Sequence, residues 1–394
     1  MVYSINRCNT DCIVVGCGLS GAVVARCLAE DMGRRVVIWE RRTHVAGNMY
    51  DYVNEYGILV HKYGPHTFHT REKYLYDYLR RFGEWDKYYL NCMAKIDGKF
   101  TPSPFNFQTI DDYFPNEHAQ LLKSRLLSAY PCQEKATIIE LMNHTDPLIR
   151  EYAMFLFEKD YSPYTAKQWG ISPSEIDISV LKRVPVLFSY KNYYFDDPYQ
   201  FMPRISYTHI FKNLLNHPNI QVELGIDALK HLRVSISGDS LLLDEMQTDK
   251  LIIYTGALDE LFGEQGTLPY RSLNFEWKYE EIDSLQDAPV VAYPQAEGFT
   301  RITEYKKLPV QNVSGTSYAV EYPLQYDARN NEPYYPVLTQ ESQLRYTAYK
   351  QRADKIKNLY LCGRLADYKY YNMDQALERA LEICEQLKKI YIGG

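Results

Sequence analysis

Asp11–Glu40 reads DCIVVGCGLSGAVVARCLAEDMGRRVVIWE: an apolar run, a glycine turn, a helical run and a second apolar run. Cys12–Val15 predicts a short strand, Gly16, Gly18 and Gly21 match G-x-G-x-x-G, and Ala22–Ala29 carries helical periodicity. Arg35–Trp39 predicts the next strand, which ends in Glu40, 19 residues after Gly21. Each part has a physical task. Gly16 permits the tight turn, Gly18 lets backbone approach a pyrophosphate, and Gly21 allows helix and strand to pack closely. The helix N-terminus turns free N–H groups and a positive dipole end toward phosphates. Glu40 can accept hydrogen bonds from a ribose 2′-hydroxyl and would repel a 2′-phosphate. Strand, turn, helix and acidic ribose reader stand in register, so the stretch predicts a dinucleotide-binding βαβ unit.

Working outward, Glu40 is followed by Arg41-Arg42 and then by Val45-Ala46-Gly47-Asn48, a second small-residue turn. Flavoprotein oxidases and their relatives use such a turn to bring backbone up to the cofactor, typically as a Gly-Gly pair. Here the first position is Ala46, yet the turn favours FAD over NAD. Near the other end, Asn358–Gly363 (NLYLCG) predicts a strand that closes on Gly363 and Arg364. A tyrosine-rich loop leads from there into a helix beginning at Asn372–Gln375. That helix end can face an electron-rich group, and the N1–C2=O edge of a flavin, negative when reduced, fits it.

A chain of 394 residues exceeds what one core usually serves, so two or three subdomains are expected. With 46% hydrophobic and 24% charged residues the composition is that of an ordinary soluble protein. The net charge of −6 and the lack of a basic arm argue against nucleic acid as a partner. No apolar run approaches the roughly 18 residues of a membrane span, and MVYSINRCNT has no secretory h-region. The eight cysteines show no CxxC pair and no metal-ligand spacing, so no metal is expected. Cys12, Cys17, Cys27 and Cys362 sit in predicted core elements, as buried thiols do, and a reduced, cytoplasmic protein is expected. The chain carries 37 tyrosines, of which a handful can line one pocket and the rest must pack in the interior.

The dinucleotide unit extends to about residue 90. Residues 108–178 read mainly helical with a break at Ser162-Pro163, and 179–206 alternate like strands. Tyr207–Leu215 predicts a helix, KLIIYTGALDEL (250–261) a strand returning to the nucleotide-binding sheet, and 270–337 a strand-rich region with Pro-bounded pieces. Met373–Leu387 predicts an amphipathic helix. First and last segments are expected to share one sheet, which makes the domains discontinuous. There is no repeat or low-complexity segment.

The chain resembles the UDP-galactopyranose mutases along nearly its whole length. The resemblance rests on HKYGPHTFHT (61–70), YTAKQWG (164–170), LKRVPV (181–186), NYYF (192–195), YQFMPRISYTHI (199–210) and IYTGALD (253–259). It continues through YRSLNFE (270–276), TRITEYK (300–306), EYPL (321–324), EPYYPV (332–337) and GRLADYKYYNM (363–373). A generic flavin oxidase would share only the first and last. The implied fold is α/β: a FAD-binding Rossmann-like domain over 1–90, 207–262 and 338–394, a helical domain with a mobile substrate lid over 108–178, and an antiparallel sheet domain over 91–107, 179–206 and 263–337. The implied reaction interconverts UDP-galactopyranose and UDP-galactofuranose, and requires FAD in its reduced form although no net oxidation occurs. In the family, flavin N5 attacks C1 and expels UDP, and O4 instead of O5 then recloses on C1. The cofactor carries the covalent chemistry, so no Ser, Cys or Asp nucleophile is needed.

By position in these motifs, Arg183 and Arg301 match the family's diphosphate arginines, where a planar fork can hold phosphate oxygens. Tyr194, Tyr335 and Tyr370 match tyrosines whose hydroxyls meet the phosphates, and Tyr164 and Trp169 match the uridine and lid region. His66 and Asn91 resemble residues near the flavin and sugar. The expected cofactor set is Gly16, Gly18, Ser20, Gly21, Glu40, Arg41, Gly47, Asn48, Gly363, Arg364 and Met373. The expected partners are a UDP-sugar and a second copy of the chain, a homodimer. One departure stands out: the family usually reads Tyr-Tyr-Asp where this chain has Tyr370-Tyr371-Asn372, and Asp374 stands where His is common. Asn keeps the shape of Asp without its charge. A different nucleotide sugar, such as UDP-N-acetylgalactosamine, therefore stays open, as do an amine-oxidase-like oxidoreductase and a non-catalytic nucleotide-sugar binder.

Overall fold

The structure, a computed structural model, describes residues 10–170 and 184–391. At its centre lies a five-stranded parallel sheet in the order Ile220–Leu224, Val36–Glu40, Cys12–Val15, Leu251–Tyr254, Leu359–Leu361. These strands are buried on both faces except for Ile220–Leu224 at the edge, which is why their sequences are unbroken apolar runs instead of alternating ones. Their C-terminal ends carry Gly16, Glu40, Thr255 and Gly363, so the residues that the sequence marks for a nucleotide lie along one rim, where open α/β sheets bind ligands. The first helix, Leu19–Glu30, is buried nearly all round because it is wedged among the sheet, the helix Tyr207–Leu215 and the C-terminal helix Met373–Tyr391.

The second large sheet has seven strands in the order Tyr335–Pro336, Tyr270–Glu280, Thr316–Gln325, Arg301–Glu304, Val290–Ala292, Cys92–Ile96, Lys99–Ser103. It is antiparallel except at one pair: Val290–Ala292 runs parallel to Cys92–Ile96. The expected antiparallel sheet domain is thus present, and its one parallel pairing joins segments about 200 residues apart, where no short turn imposes a direction. Residues 107–169 form a bundle of short helices around a separate apolar core that includes Leu122, Ile149 and Tyr152.

Two local expectations are corrected. There is no break at Ser162-Pro163. Instead the helix Pro147–Leu156 passes through a π-helical turn, Phe157–Tyr161, straight into Ser162–Trp169. Pro163 has no N–H and its ring crowds the preceding turn, and one widened turn absorbs both without ending the helix. The run 184–206 is also less regular than its alternation suggests, with strands only at Val186–Leu187 and Tyr199–Pro203. Between them, Asp196-Asp197-Pro198 anchors an irregular stretch through Asp197, whose Oδ2 lies 2.6 Å from His69 Nδ1.

Candidate active site

The glycine turn meets its sequence reading at close quarters. A Cβ on Gly21 would lie 2.1 Å from the Gly16 carbonyl oxygen, so only hydrogen fits between helix and turn. A Cβ on Gly18 would find no protein atom nearer than Gly47 Cα at 3.9 Å, leaving room on the cavity side. Gly18 is also the N-cap of Leu19–Glu30 with no side chain bonded to the helix end, which leaves that end open to an anion. The second turn approaches from the other side, with Ala46 in the left-handed region at φ 74°.

Glu40 does more than face a ribose. Its Oε2 accepts from the Cys17 N–H at 2.8 Å and its Oε1 from the Arg42 N–H at 2.9 Å, with the residue 6% exposed. The carboxylate therefore braces the glycine turn against the turn after the second strand, and its remaining lone pairs are what a ribose hydroxyl can use. Gly16, Gly18, Ser20, Gly21, Glu40, Arg41, Gly47, Asn48, Gly363, Arg364 and Met373 all line one elongated cavity along the rim of the parallel sheet. The open helix end, the unfilled space at Gly18 and the acidic residue fit the pyrophosphate and ribose of a dinucleotide.

A second cavity adjoins it between the seven-stranded sheet and the helical bundle. Asn48, His66, Tyr334, Arg364, Asn372 and Met373 line both, so the two spaces meet there. Tyr164, Trp169, Tyr194, Tyr335, Tyr370 and Arg301 line the second alone. Asn91 lines neither. Its neighbours Leu90 and Cys92 line the second cavity, Asn91 forms a bridge with Tyr193, and successive residues of an extended chain face opposite ways. Arg183 lies outside the described residues.

Arg301 owes its position to strand register. It pairs directly with Glu321 on the neighbouring strand, and its Nε and Nη2 lie 2.9 and 2.8 Å from Glu321 Oε2. Burial works against the guanidinium charge, and the Glu321 carboxylate with the oxygens of Tyr164 and Tyr370 outweighs it, so Arg301 is held above its ordinary value. Burial likewise pushes up the phenols of Tyr164 and Tyr335, which therefore stay protonated, and Tyr335 donates to the Gln168 carbonyl at 3.3 Å. Trp169, 4% exposed, packs edge-on to Tyr335 at 5.1 Å and tilted to Tyr370 at 5.5 Å, forming an aromatic wall. Arg364 lies 5.2 Å from the Tyr370 ring centre and donates to the Tyr371 carbonyl at 2.6 Å, fixing the tyrosine-rich loop.

His66 is held neutral. Burial, with the positive charges of Arg364 and Arg301, pushes its imidazole down to about 4 against the opposing effect of the Gly64 carbonyl. That carbonyl lies 2.8 Å from Nδ1 and can only accept, so the proton sits on Nδ1 and Nε2 keeps its lone pair. Asn372 stands ahead of the C-terminal helix, and the Gln375 side chain reaches back to its N–H at 2.9 Å, one half of a capping box.

Sequence reasoning missed several contributors. Glu321 carries no mark in the sequence beyond its place in EYPL (321–324). Arg42 stacks on Tyr63 at 4.2 Å and donates to Asn48 Oδ1 at 3.0 Å. Lys167 donates to the carbonyls of Tyr293, Ala296 and Phe299 at 2.6, 2.7 and 2.8 Å, tying the helix Ser162–Trp169 to the sheet domain. Seven of the tyrosines line the second cavity, whereas Tyr152, Tyr207, Tyr254, Tyr305 and Tyr368 are fully buried in the cores.

Known proteins bear on this arrangement in three ways. The sequence profile of the UDP-galactopyranose mutases matches residues 159–370, and that of an NAD(P)-binding Rossmann-like domain matches residues 14–82. The chain is 35% identical to the dTDP-fucopyranose mutase of Escherichia coli over 95% of its own length and 97% of that protein. It is 33% identical to the UDP-galactopyranose mutase of Mycoplasma pneumoniae, covering 97% of each. Among solved structures, a reduced UDP-galactopyranose mutase superposes with a TM-score of 0.72 at 14% identity, over 97% of this chain and 94% of that one. A redesigned putrescine oxidase superposes at 0.57 and 13% identity, over 96% and 98%. The fold is thus shared with that oxidase as well, and the sequence relatives decide between the two. The expected α/β fold with its Rossmann-like domain is the observed one, and the chain belongs to the UDP-galactopyranose mutase family, whose members are isomerases.

Proposed function

We propose that the chain interconverts UDP-galactopyranose and UDP-galactofuranose, with FAD in its reduced form as the cofactor. The observation that carries this reading is the junction of the two cavities at Asn48, His66, Tyr334, Arg364, Asn372 and Met373, with the Arg301–Glu321 pair on the wall of the second. An amine substrate has no use for a half-buried, carboxylate-braced arginine in a cavity lined by phenols; a diphosphate does. FAD would be held by the open end of Leu19–Glu30, by Glu40 at its ribose and by Gly363, Arg364 and Met373 toward its ring. When bound and reduced, the flavin supplies the electron pair that holds the anomeric carbon while the sugar ring opens and recloses through another hydroxyl.

The residues do the remaining work. Arg301, fixed by Glu321, keeps the diphosphate in place while its bond to the sugar is broken and remade, and offsets the charge that develops there. Tyr164 donates a hydrogen bond to it, while the Tyr335 hydroxyl donates to the Gln168 carbonyl and holds the wall in place. Trp169, Tyr335 and Tyr370 exclude water, which would otherwise trap the opened sugar. The Nε2 lone pair of neutral His66 can accept from a sugar hydroxyl.

The Escherichia coli relative favours a second reading, a dTDP-linked 6-deoxy sugar as substrate, since its identity is close to that of the Mycoplasma protein. The test is turnover of UDP-galactofuranose and dTDP-fucofuranose by the FAD-loaded protein, oxidised and then chemically reduced. Turnover of the UDP sugar only after reduction is the expected result. Turnover of the dTDP sugar alone would replace the substrate and keep the reaction type. No turnover of either would remove the reading.

Asn372→Asp restores the charge usual in the family. It also places a carboxylate ahead of a helix, where it is favoured by about 0.3–1 kcal/mol, so FAD content and folding should hold. Turnover of UDP-galactofuranose should rise several-fold; an unchanged rate would assign Asn372 a purely geometric role.

A further inference from the structure

The polar ring of His61 is not explained by the packing around it. His61 ends the strand Leu59–His61, which pairs with Asp51–Val53, and it is 0% exposed. Tyr207 meets its ring edge-on at 5.6 Å and Tyr305 lies tilted at 5.7 Å, an aromatic setting that a phenylalanine ring would suit as well. Its Nε2 is buried with no hydrogen-bond partner among the described residues, a cost that phenylalanine would not carry. The hydrogen bond this ring makes is on the other nitrogen, where Nδ1 accepts the His66 N–H at 3.0 Å. An accepting Nδ1 places the ring proton on Nε2. Burial and the neighbouring His66 push the imidazole down to about 3, so near neutral pH it is a permanent acceptor.

Opposite His61 in the strand pair stands Asp51. Its carboxylate accepts the Tyr207 N–H at 2.6 Å and the Thr208 N–H at 2.8 Å, and so anchors the start of the helix Tyr207–Leu215. From that position the Tyr207 hydroxyl donates to the His66 carbonyl at 3.2 Å, with a weaker acceptor, Met202 Sδ, at 3.5 Å. One pair of strands therefore grips His66 twice, at its N–H through His61 and at its carbonyl through Asp51 and Tyr207. His66 stands where the two cavities meet, just after Gly64, which takes a left-handed φ of 93°. The bond from His66 Nδ1 to the Gly64 carbonyl spans two residues and survives only while that turn keeps its shape.

We propose that His61 is a positioning residue of the active site: its Nδ1, by holding the His66 N–H, fixes the turn in which His66 keeps its proton on Nδ1 and presents Nε2 as an acceptor. That a sugar hydroxyl uses this acceptor rests on the function proposed above; the hold of His61 on His66 does not. Once the N–H is released, the turn loosens and the Gly64 carbonyl no longer dictates the tautomer. A fraction of His66 then carries its proton on Nε2 and offers a donor where an acceptor is needed. Asn separates this role from packing, because its Oδ1 is bonded to Cγ as the Nδ1 of His is. Gln carries its oxygen one bond further out, at the level of Nε2, and Phe keeps the ring with neither acceptor.

The first measurement is NMR of the oxidised, FAD-loaded protein labelled with nitrogen-15 at histidine, with His66 assigned through its loss in His66→Gln. Wild type and His61→Asn should show His66 in the Nδ1–H form alone, whereas His61→Phe and His61→Gln should show a mixture of tautomers. The second is turnover of UDP-galactofuranose by the reduced enzyme. In His61→Phe kcat should fall about tenfold or more, the scale of a misplaced reacting group, while KM stays within about twofold because the diphosphate contacts are untouched. His61→Asn should recover kcat to within about threefold of wild type, and His61→Gln should not. Should the asparagine variant fail to fold, Tyr207→Phe removes the grip on the His66 carbonyl and should bring out the same mixture of tautomers. A role in packing alone would reverse the order, with Phe nearest to wild type and Asn furthest from it, and would overturn the proposal. So would an unchanged His66 tautomer in His61→Phe, or the Nε2–H form in wild type. Tautomers that shift as expected in a wild-type protein without turnover would support the hold of His61 on His66 and overturn the proposed function instead.

Discussion

Arg301→Ala is expected to lower turnover of the reduced enzyme by roughly two to three orders of magnitude, the scale of removing one charged contact from a developing anion. The geometry makes the loss double. On the proposed reading the guanidinium offers charge-assisted hydrogen bonds to the diphosphate, and it also masks Glu321, a carboxylate only 3% exposed. Without Arg301 the diphosphate would meet a buried negative charge where it had met a positive one. The variant Arg301→Ala/Glu321→Ala separates the two effects. Removing both charges should recover substrate affinity and leave turnover low. Arg301→Lys keeps a point charge without the fork that spans Glu321 and substrate, and should fall between the two. Steady-state kinetics on the reduced enzyme check all three, and wild-type turnover in Arg301→Ala would remove Arg301 from the substrate site.

Gly21→Ala should leave the protein colourless. Its Cβ would lie 2.1 Å from the Gly16 carbonyl oxygen and 3.2 Å from both Gly16 C and Val14 Cγ1. The Gly16 oxygen belongs to backbone, so the contact cannot be relieved by a side-chain rotation, and the helix must lift away from the strand. That displaces the helix end from the phosphate position and overpacks a core, at a cost of about 1–3 kcal/mol or more. The measurements are the visible flavin band of the purified protein and its melting temperature, both of which should fall. Gly18→Ala supplies the contrast. With 3.9 Å to the nearest protein atom, it should melt like wild type without cofactor and yet bind FAD more weakly, because the methyl group fills space left for the ligand. Equal cofactor content in Gly21→Ala and wild type would remove the assigned role of that glycine.

The dinucleotide half was legible because its information is local. A strand, a glycine turn, a helix and an acidic residue follow one another within Asp11–Glu40, and each is shaped by its sequence neighbours. The return strand Leu251–Tyr254 and the last strand Leu359–Leu361 were legible for a related reason: a parallel strand buried on both faces has to be an apolar run. The substrate half was less so. Tyr164, Trp169, Tyr194, Tyr335 and Tyr370 came from family resemblance, and 37 tyrosines in one chain hide the few that line a cavity. Asn91 shows the limit of that route, since a motif position does not say which way a side chain faces.

The sequence by itself determined the parallel sheet, the nucleotide rim and the family, because these depend on short-range order and on spacing along the chain. Tertiary structure alone decided the partnerships that make a site. Glu321 braces Arg301 because antiparallel register sets residues 20 apart directly opposite each other. Glu40 holds the Cys17 N–H across the rim of the sheet, and Lys167 clasps carbonyls more than 100 residues away. Asp160 faces a cavity because a helix widened by one turn ahead of a proline directs it there. Register and helix phase are set by the packing of the whole molecule, and they determine which charges meet.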